Sequence, residues 1–319
     1  MKINKNIECI NKPISKIILG TATPLFMLGK DCNAILDDML AEGINTIDTA
    51  RKYGLAEKSI GRWLKERNNR EQVVIISKGG HPSIFRRKRI NEIDVRKDLE
   101  KSLKLLNTSY IDIYMLHRDD PSLSVEEIMD FMNKFIDEGK IKAIGVSNWH
   151  YKRIKEANDY AIKNGLKPIA VSSPHYSLAV QVKDPWDGTC ETITGDEHAE
   201  DRKYYEKSQI PVIAFSSLGR GFLTGKLKSS EIDNINKFLD ANARKGYAYP
   251  VNFKRLARCE EMALQKNMTI PQVALAYLFN NKMDVYAIVS MSSNQRIKDN
   301  LKSLDITLTE EEISYLEGN

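Results

Sequence analysis

Four side chains of four chemical kinds stand at or just beyond the ends of apolar runs: the Asp48 carboxylate, the Tyr53 phenol, the Lys78 amine and the His117 imidazole. Side chains of an extended chain alternate between faces, so Asp48 shares a face with Thr46, Lys78 with Val74 and Ile76, and His117 with Ile113 and Met115. Each polar residue therefore terminates an apolar file, as expected if all three point into one mouth at the ends of neighbouring strands. Groups of these types, gathered together, hold and transfer a proton and polarise an oxygen. Taken singly, each has a structural explanation. An Asp at a strand end caps a turn, a Lys carries its ammonium to solvent, a lone His is a hydrogen-bonded structural residue, and Tyr53 is a loop aromatic. Their matching depth on three successive runs sets the catalytic reading above four separate ones.

The elements that must position them form a repeating unit. A short, β-branched apolar run is followed by a polar break and then by a stretch of helical period. The runs are Ile17–Ala22, Asn45–Ala50, Val73–Lys78, Ile111–His117, Ala143–Asn148, Ile169–Ser173, Pro211–Ser217 and Val285–Met291. Helical stretches between and after them include Asn33–Glu42, Val95–Leu106, Val125–Glu138, Tyr151–Lys163, Glu197–Lys207, Lys254–Lys266, Ile270–Phe279 and Thr309–Leu316. Strands apolar on both faces and alternating with helices imply a parallel sheet covered by helices, and eight strands is the number that closes into an α/β barrel. The rival, a doubly wound open sheet, wants an early glycine fingerprint, and Gly20-Thr21-Ala22-Thr23 supplies no G-x-G-x-x-G. The expectation is a (β/α)8 TIM barrel forming a single domain over residues 1–319.

Bulk properties narrow the class. With 42% hydrophobic and 29% charged residues, the chain has the composition of a globular enzyme with a sizeable core. The net charge of +5 is spread along the chain, apart from the run Phe85-Arg86-Arg87-Lys88-Arg89. No nucleic-acid module accompanies that run, so it reads as a solvated loop and no nucleic-acid partner is expected. Cys9, Cys32, Cys190 and Cys259 form no C-x-x-C pair, which excludes a disulfide framework or a structural zinc site and suits a reducing cytoplasm. The polar N-terminus lacks an apolar signal core, and no run reaches the roughly 20 apolar residues of a membrane helix. A cytoplasmic, metal-free protein with no membrane partner is expected.

The four residues, with Gly145-Val-Ser147-Asn148-Trp, Tyr176-Ser-Leu, Phe215-Ser-Ser-Leu218-Gly-Arg-Gly221-Phe-Leu-Thr-Gly225-Lys and Arg296-Ile-Lys-Asp299-Asn300-Leu, resemble the aldo-keto reductases from the first strand to the final helix. The resemblance implies an oxidoreductase that passes a hydride between a nicotinamide cofactor and a carbonyl, with Asp48, Tyr53, Lys78 and His117 as the catalytic tetrad. Tyr53 would be the general acid. A free phenol titrates near pH ~10, and a neighbouring ammonium lowers that value. Lys78 would supply this charge, Asp48 would hold Lys78, and His117 would direct the carbonyl oxygen.

Cofactor contacts are implied at Gly20, Thr21, Ser147, Asn148, Ser173, Phe215, Ser216, Ser217, Leu218, Gly221, Ser290, Ser292, Arg296, Asp299 and Asn300. The chain departs from the family pattern at two of these: Ser173 stands where a glutamine is usual, and Ser290 where many members have a lysine. Arg296 still suits a 2′-phosphate, so NADP is expected over NAD, with weakened discrimination. The chain ends soon after its last helical stretch, which implies a bacterial-type member without a long C-terminal loop. The insertion Ser177–Lys207, with Trp186, Asp184 and Asp187, would help close the substrate pocket, and Leu227–Asn252 would form a flap over the cofactor. Trp186 would stack on a sugar substrate or pack against its own loop. Two other readings stay open: a Schiff-base lyase or isomerase using Lys78, against which Asp48 argues, and a slow NADP-binding regulatory subunit.

Overall fold

The computed structural model describes residues 4–7, 10–82, 88–186 and 188–318. Cys9, Phe85, Arg86, Arg87 and Asp187 lie outside the described residues. Eight strands appear in chain order: β1 (Ile17–Gly20), β2 (Thr46–Asp48), β3 (Val74–Gly79), β4 (Ile111–Leu116), β5 (Ile141–Ser147), β6 (Ile169–Ser173), β7 (Val212–Ala214) and β8 (Val285–Val289). Their order is β8-β1-β2-β3-β4-β5-β6-β7, a closed barrel, preceded by a short antiparallel ribbon of Asn4–Lys5 with Ile14–Ser15. The TIM-barrel expectation is met.

Contacts gather into two compact units, Asn4–Ser173 with Ser290–Asn294, and Pro174–Val289 with Gln295–Asn319. In the first, β1 to β6 pair in parallel, and the register sets Asp48 beside Gly20 and Ile76, and Lys78 beside Met115. Gly145 on β5 makes the interior packing possible: an added Cβ would lie 2.7 Å from Met115 Cγ and 2.9 Å from Val171 Cγ2. Helices follow from apolar spacing and local caps. Val125–Asp137 buries Val125, Ile128, Met129, Met132 and Phe135 at helical spacing, and the Ser124 hydroxyl accepts from the Glu127 N–H at 3.2 Å.

In the second unit β7 and β8 pair in parallel, with Val212 opposite Val285. The helix Ile270–Phe279 is buried along its whole length, with Pro271 in its first turn and a reciprocal cap between Thr269 and Gln272. No described helix is long and apolar enough to cross a membrane.

Candidate active site

The loop after β2 is fixed by continuing the sheet ladder beyond the strand. Thr49 N–H donates to the Ile76 carbonyl at 2.8 Å and Arg51 N–H to the Lys78 carbonyl at 2.9 Å, which carries Tyr53 alongside Lys78. The chain then turns at Gly54, whose φ is +55°; a Cβ there would sit 2.6 Å from the Met27 carbonyl oxygen. The sequence-predicted tetrad is thereby brought together. Asp48, Lys78 and His117 are buried and Tyr53 is half-buried. The Lys78 ammonium donates to the Asp48 carboxylate and, at 3.1 Å, to the Thr49 carbonyl. It lies 5.2 Å from the centre of the Tyr53 ring. The His117 ring meets Tyr53 edge-on at 5.8 Å between centroids.

The charge states follow from these neighbours. Desolvation pulls Lys78 down most strongly, but Asp48 and Tyr53 together outweigh it and hold the ammonium above its usual range. Burial pushes the Tyr53 phenol up, while Lys78 pulls it down without overcoming the burial. This corrects the expectation of a net lowered phenol: the ammonium acts in the expected sense, but desolvation is larger. Burial, then the charges of Arg118 and Lys78, drive His117 well below the ordinary imidazole value, so it is neutral near pH 7. The His117 Nδ1 is buried with no hydrogen-bond partner among the described residues.

Several neighbours escaped the sequence reading. Buried Glu57 ties the loop to the strand through Arg51 and through the Ser77 hydroxyl at 2.8 Å. Its signal was its place in the first turn of a helix, Ala56–Arg67, that the reading did not name. His81 packs edge-on against His117 at 4.8 Å. Asp98 braces its loop, accepting from the Gly80 N–H at 3.0 Å and pairing with Arg89 at 2.9 Å. Lys88, also in the basic run, pairs with Asp120 at 2.5 Å. A histidine three residues past a strand-end lysine follows no strand period, so alternation could not flag His81.

The residues implied for a cofactor fall as follows. Gly20 ends β1 and Thr21 follows it, its hydroxyl donating to the Asp48 carbonyl at 2.8 Å. Ser147 donates to the Ser173 carbonyl at 3.1 Å, and the Asn148 amide donates to the Ser147 hydroxyl at 2.9 Å and the His117 carbonyl at 3.2 Å. Asn148 has a left-handed φ of 61°. Ser290 and Ser292 are exposed. In the second unit Phe215 is half-buried, and five positions from Ser216 to Gly225 have positive φ: Ser216, Gly219, Arg220, Gly221 and Gly225. Such alternations turn successive N–H groups to one side, a shape suited to an anion. The Ser217 hydroxyl is spent on the Ala214 carbonyl at 2.9 Å, and Leu218 lies half-buried in the same run. Arg296 is exposed on the helix Asn294–Leu301. Asn300 is buried, and Asp299 accepts from Gln295 at 3.0 Å and Lys302 at 3.1 Å. Trp186 packs edge-on to Phe215 at 6.2 Å, with the Arg220 guanidinium 5.3 Å over its ring.

The profile of the Aldo/keto reductase family matches residues 16–318. The chain belongs to this family. As an aldo/keto reductase it is an oxidoreductase of carbonyl chemistry in a family that generally uses a nicotinamide cofactor. It is 27% identical over 294 residues to norsolorinic acid reductase of Aspergillus flavus, covering 89% of this chain and 70% of that one. To the aldo-keto reductase yakc [NADP(+)] of Schizosaccharomyces pombe it is 27% identical over 289 residues, 87% of this chain and 78% of the other. Among solved structures, the thermostable aldo-keto reductase Tm1743 with the inhibitor epalrestat matches with a TM-score of 0.71 and 25% identity, over 99% of each chain.

Proposed function

We propose that this aldo/keto reductase uses NADPH to reduce an aldehyde or ketone to the alcohol, with Tyr53 as proton donor. One observation carries the reading: a Lys78 ammonium that Asp48 holds charged lies 5.2 Å from the centre of the Tyr53 ring, beside a neutral His117. NADPH, when bound, would supply hydride chemistry at the carbonyl carbon. As negative charge grows on the carbonyl oxygen, Tyr53 releases its proton there and Lys78 stabilises the phenolate left behind. The Tyr53 phenolate regains a proton from solvent once the alcohol leaves, while Lys78 stays an ammonium and Asp48 keeps it in place. A neutral imidazole donates one N–H, so His117 orients the oxygen without competing as an acid.

The residues fit the cofactor. Ser147, Asn148 and Ser173 would meet a carboxamide, with Ser173 replacing only part of the usual amide contact. Gly20 and Thr21 would lie along the cofactor, Phe215 would stack on the nicotinamide, and the left-handed run Ser216, Ser217, Leu218 and Gly221 would cradle a pyrophosphate. Asp299 and Asn300 would serve the adenosine end, and Arg296, with Ser290 and Ser292, would hold a 2′-phosphate. The name of the Schizosaccharomyces pombe relative, which includes NADP(+), supports this choice. A Schiff-base role for Lys78 is disfavoured, because an amine kept as an ammonium has no lone pair to attack a carbonyl.

The test is NADPH oxidation with a panel of aldehydes and ketones. Tyr53→Phe is expected to cut kcat by about 10²- to 10⁴-fold while NADPH affinity changes little. Substantial turnover in that variant would reject Tyr53 as the acid. Absent turnover in the wild type, with NADPH still bound, would favour the regulatory reading.

A further inference from the structure

The second unit holds a narrow polar cleft with about 260 Å³ of space, part of it open to solvent. None of the tetrad, and none of the residues implied for the cofactor, lines it. That volume lies below the range of pockets for drug-sized molecules, so the cleft suits a small ligand. Two arginines line it, Arg255 on the helix Pro250–Gln265 and Arg202 on the helix Ala199–Ser208. Arg255 is only 8% exposed, yet it makes a single hydrogen bond among the described residues, from Nη1 to the Leu178 carbonyl at 2.9 Å. Its Nε is buried with no acceptor among those residues. Arg202 uses only Nη1, on the Ile193 and Gly195 carbonyls at 2.8 and 2.7 Å. Neither guanidinium makes an ion pair among the described residues. A charge buried in this way is costly until something pairs with it.

The lining hydroxyls have their hydrogens committed. Ser177 donates to the Ala179 carbonyl at 2.6 Å, Tyr176 to the Tyr277 hydroxyl at 3.4 Å, and Tyr277 to the Glu317 carboxylate at 2.5 Å. The donors left over are guanidinium N–H groups, which call for a ligand that only accepts. We propose that this cleft binds a small monocarboxylate, gripped by the Arg255 and Arg202 guanidiniums. A carboxylate offers two coplanar oxygens to the fork of N–H donors on a guanidinium. Charge sets its valence. Two guanidiniums against Glu317 leave one positive charge to balance, while Asp196 is exposed, where water screens it. The three inner charges act on one lining group. Burial pushes the Tyr176 phenol up to about 12 and Glu317 adds to the rise, whereas the Tyr277 hydrogen bond, Arg202 and Arg255 oppose it. This site goes beyond the reductase reading and does not depend on it.

The experiment follows thermal unfolding of the full chain at pH 7 against sodium acetate, with sodium chloride holding ionic strength constant, and repeats it with sodium phosphate. Acetate is expected to raise Tm saturably, by about 2 °C at roughly tenfold above the half-saturating concentration. Arg255→Gln and Arg202→Gln should each remove most of that rise. Arg296→Ala, which alters the pocket proposed for the cofactor phosphate, should keep it. Glu317→Gln removes the competing carboxylate and should lower the half-saturating acetate concentration severalfold. Arg202 is half-buried, so its variant reports on the site even if Arg255→Gln fails to fold. A Tm that responds to acetate no more than to chloride, or a rise that survives Arg202→Gln, overturns the site. A larger rise with phosphate that Arg202→Gln abolishes overturns the monocarboxylate class.

Discussion

At the scale of single residues, burial and charge oppose each other at Lys78 and Tyr53. Burial lowers Lys78, and Asp48 with Tyr53 more than offsets it. The ammonium so preserved opposes the rise that burial imposes on Tyr53. His117 lacks any such carboxylate and stays neutral. The proposed preference for NADPH rests on the same chemistry of charge against oxygen. Arg296 stands exposed on a helix, where a guanidinium can meet a phosphate without first giving up burial. Ser290 leaves the neighbouring position without a charge, so discrimination should rest on Arg296. Arg296→Ala is expected to weaken NADPH binding by about tenfold or more, the worth of a charge-assisted contact, and to leave NADH nearly unaffected. Titration of the two cofactors by protein fluorescence measures this, and equal losses for both would remove the phosphate role.

At the scale of elements, the site depends on a turn that places Tyr53 against Lys78. Gly54 makes that turn in left-handed backbone and against the Met27 carbonyl. Gly54→Ala meets both obstacles, so the loop must shift and the phenol with it. Misplacement by about 1 Å can cost about 10²-fold in rate. We therefore expect kcat to fall by about that factor in Gly54→Ala, with unchanged far-ultraviolet circular dichroism; wild-type turnover would show that the loop tolerates the side chain. The strands that deliver the tetrad were legible because their apolar files run unbroken until one polar residue ends each. The helices Tyr151–Lys163 and Ile270–Phe279 were legible to the residue in their helical spacing. The helix Ala56–Arg67 begins at Leu55 with no side-chain cap, so no starting signal announces it. Left-handed backbone at Asn148, Ser216 and Arg220 was equally hidden, because those residue types take ordinary conformations elsewhere. The sign of the Tyr53 shift was out of reach too, since neighbours can be guessed from sequence but the depth of burial cannot.

At the scale of the whole molecule, folding stability is tied to pH through buried imidazoles, of which His175 is the clearest. Its ring is fully buried in the second unit. Nδ1 pairs with the Thr192 hydroxyl at 2.9 Å and Nε2 with the Tyr247 hydroxyl at 2.9 Å, while the ring lies 5.7 Å from Phe215. Desolvation, with a smaller push from the charge of His198, lowers it from the ordinary 6.5 to about 3. An unfolded imidazole takes up its proton near pH ~6.5, whereas the folded one refuses it until about 3. Between those values the unfolded chain holds the extra proton, so stability falls as pH drops through that window and levels off below it. At pH 4.5 the folded state should have lost about 3 kcal/mol on this account relative to pH 7, an order-of-magnitude figure from roughly two pH units at ~1.4 kcal/mol each. His175→Phe removes the titrating group. The variant should be less stable at pH 7, through its lost hydrogen bonds, yet its urea midpoint should decline less between pH 7 and 4.5 than that of the wild type. His117 and the carboxylates contribute equally to both proteins, so the difference between the two declines isolates His175. Parallel declines would mean that the His175 ring accepts a proton in the folded protein.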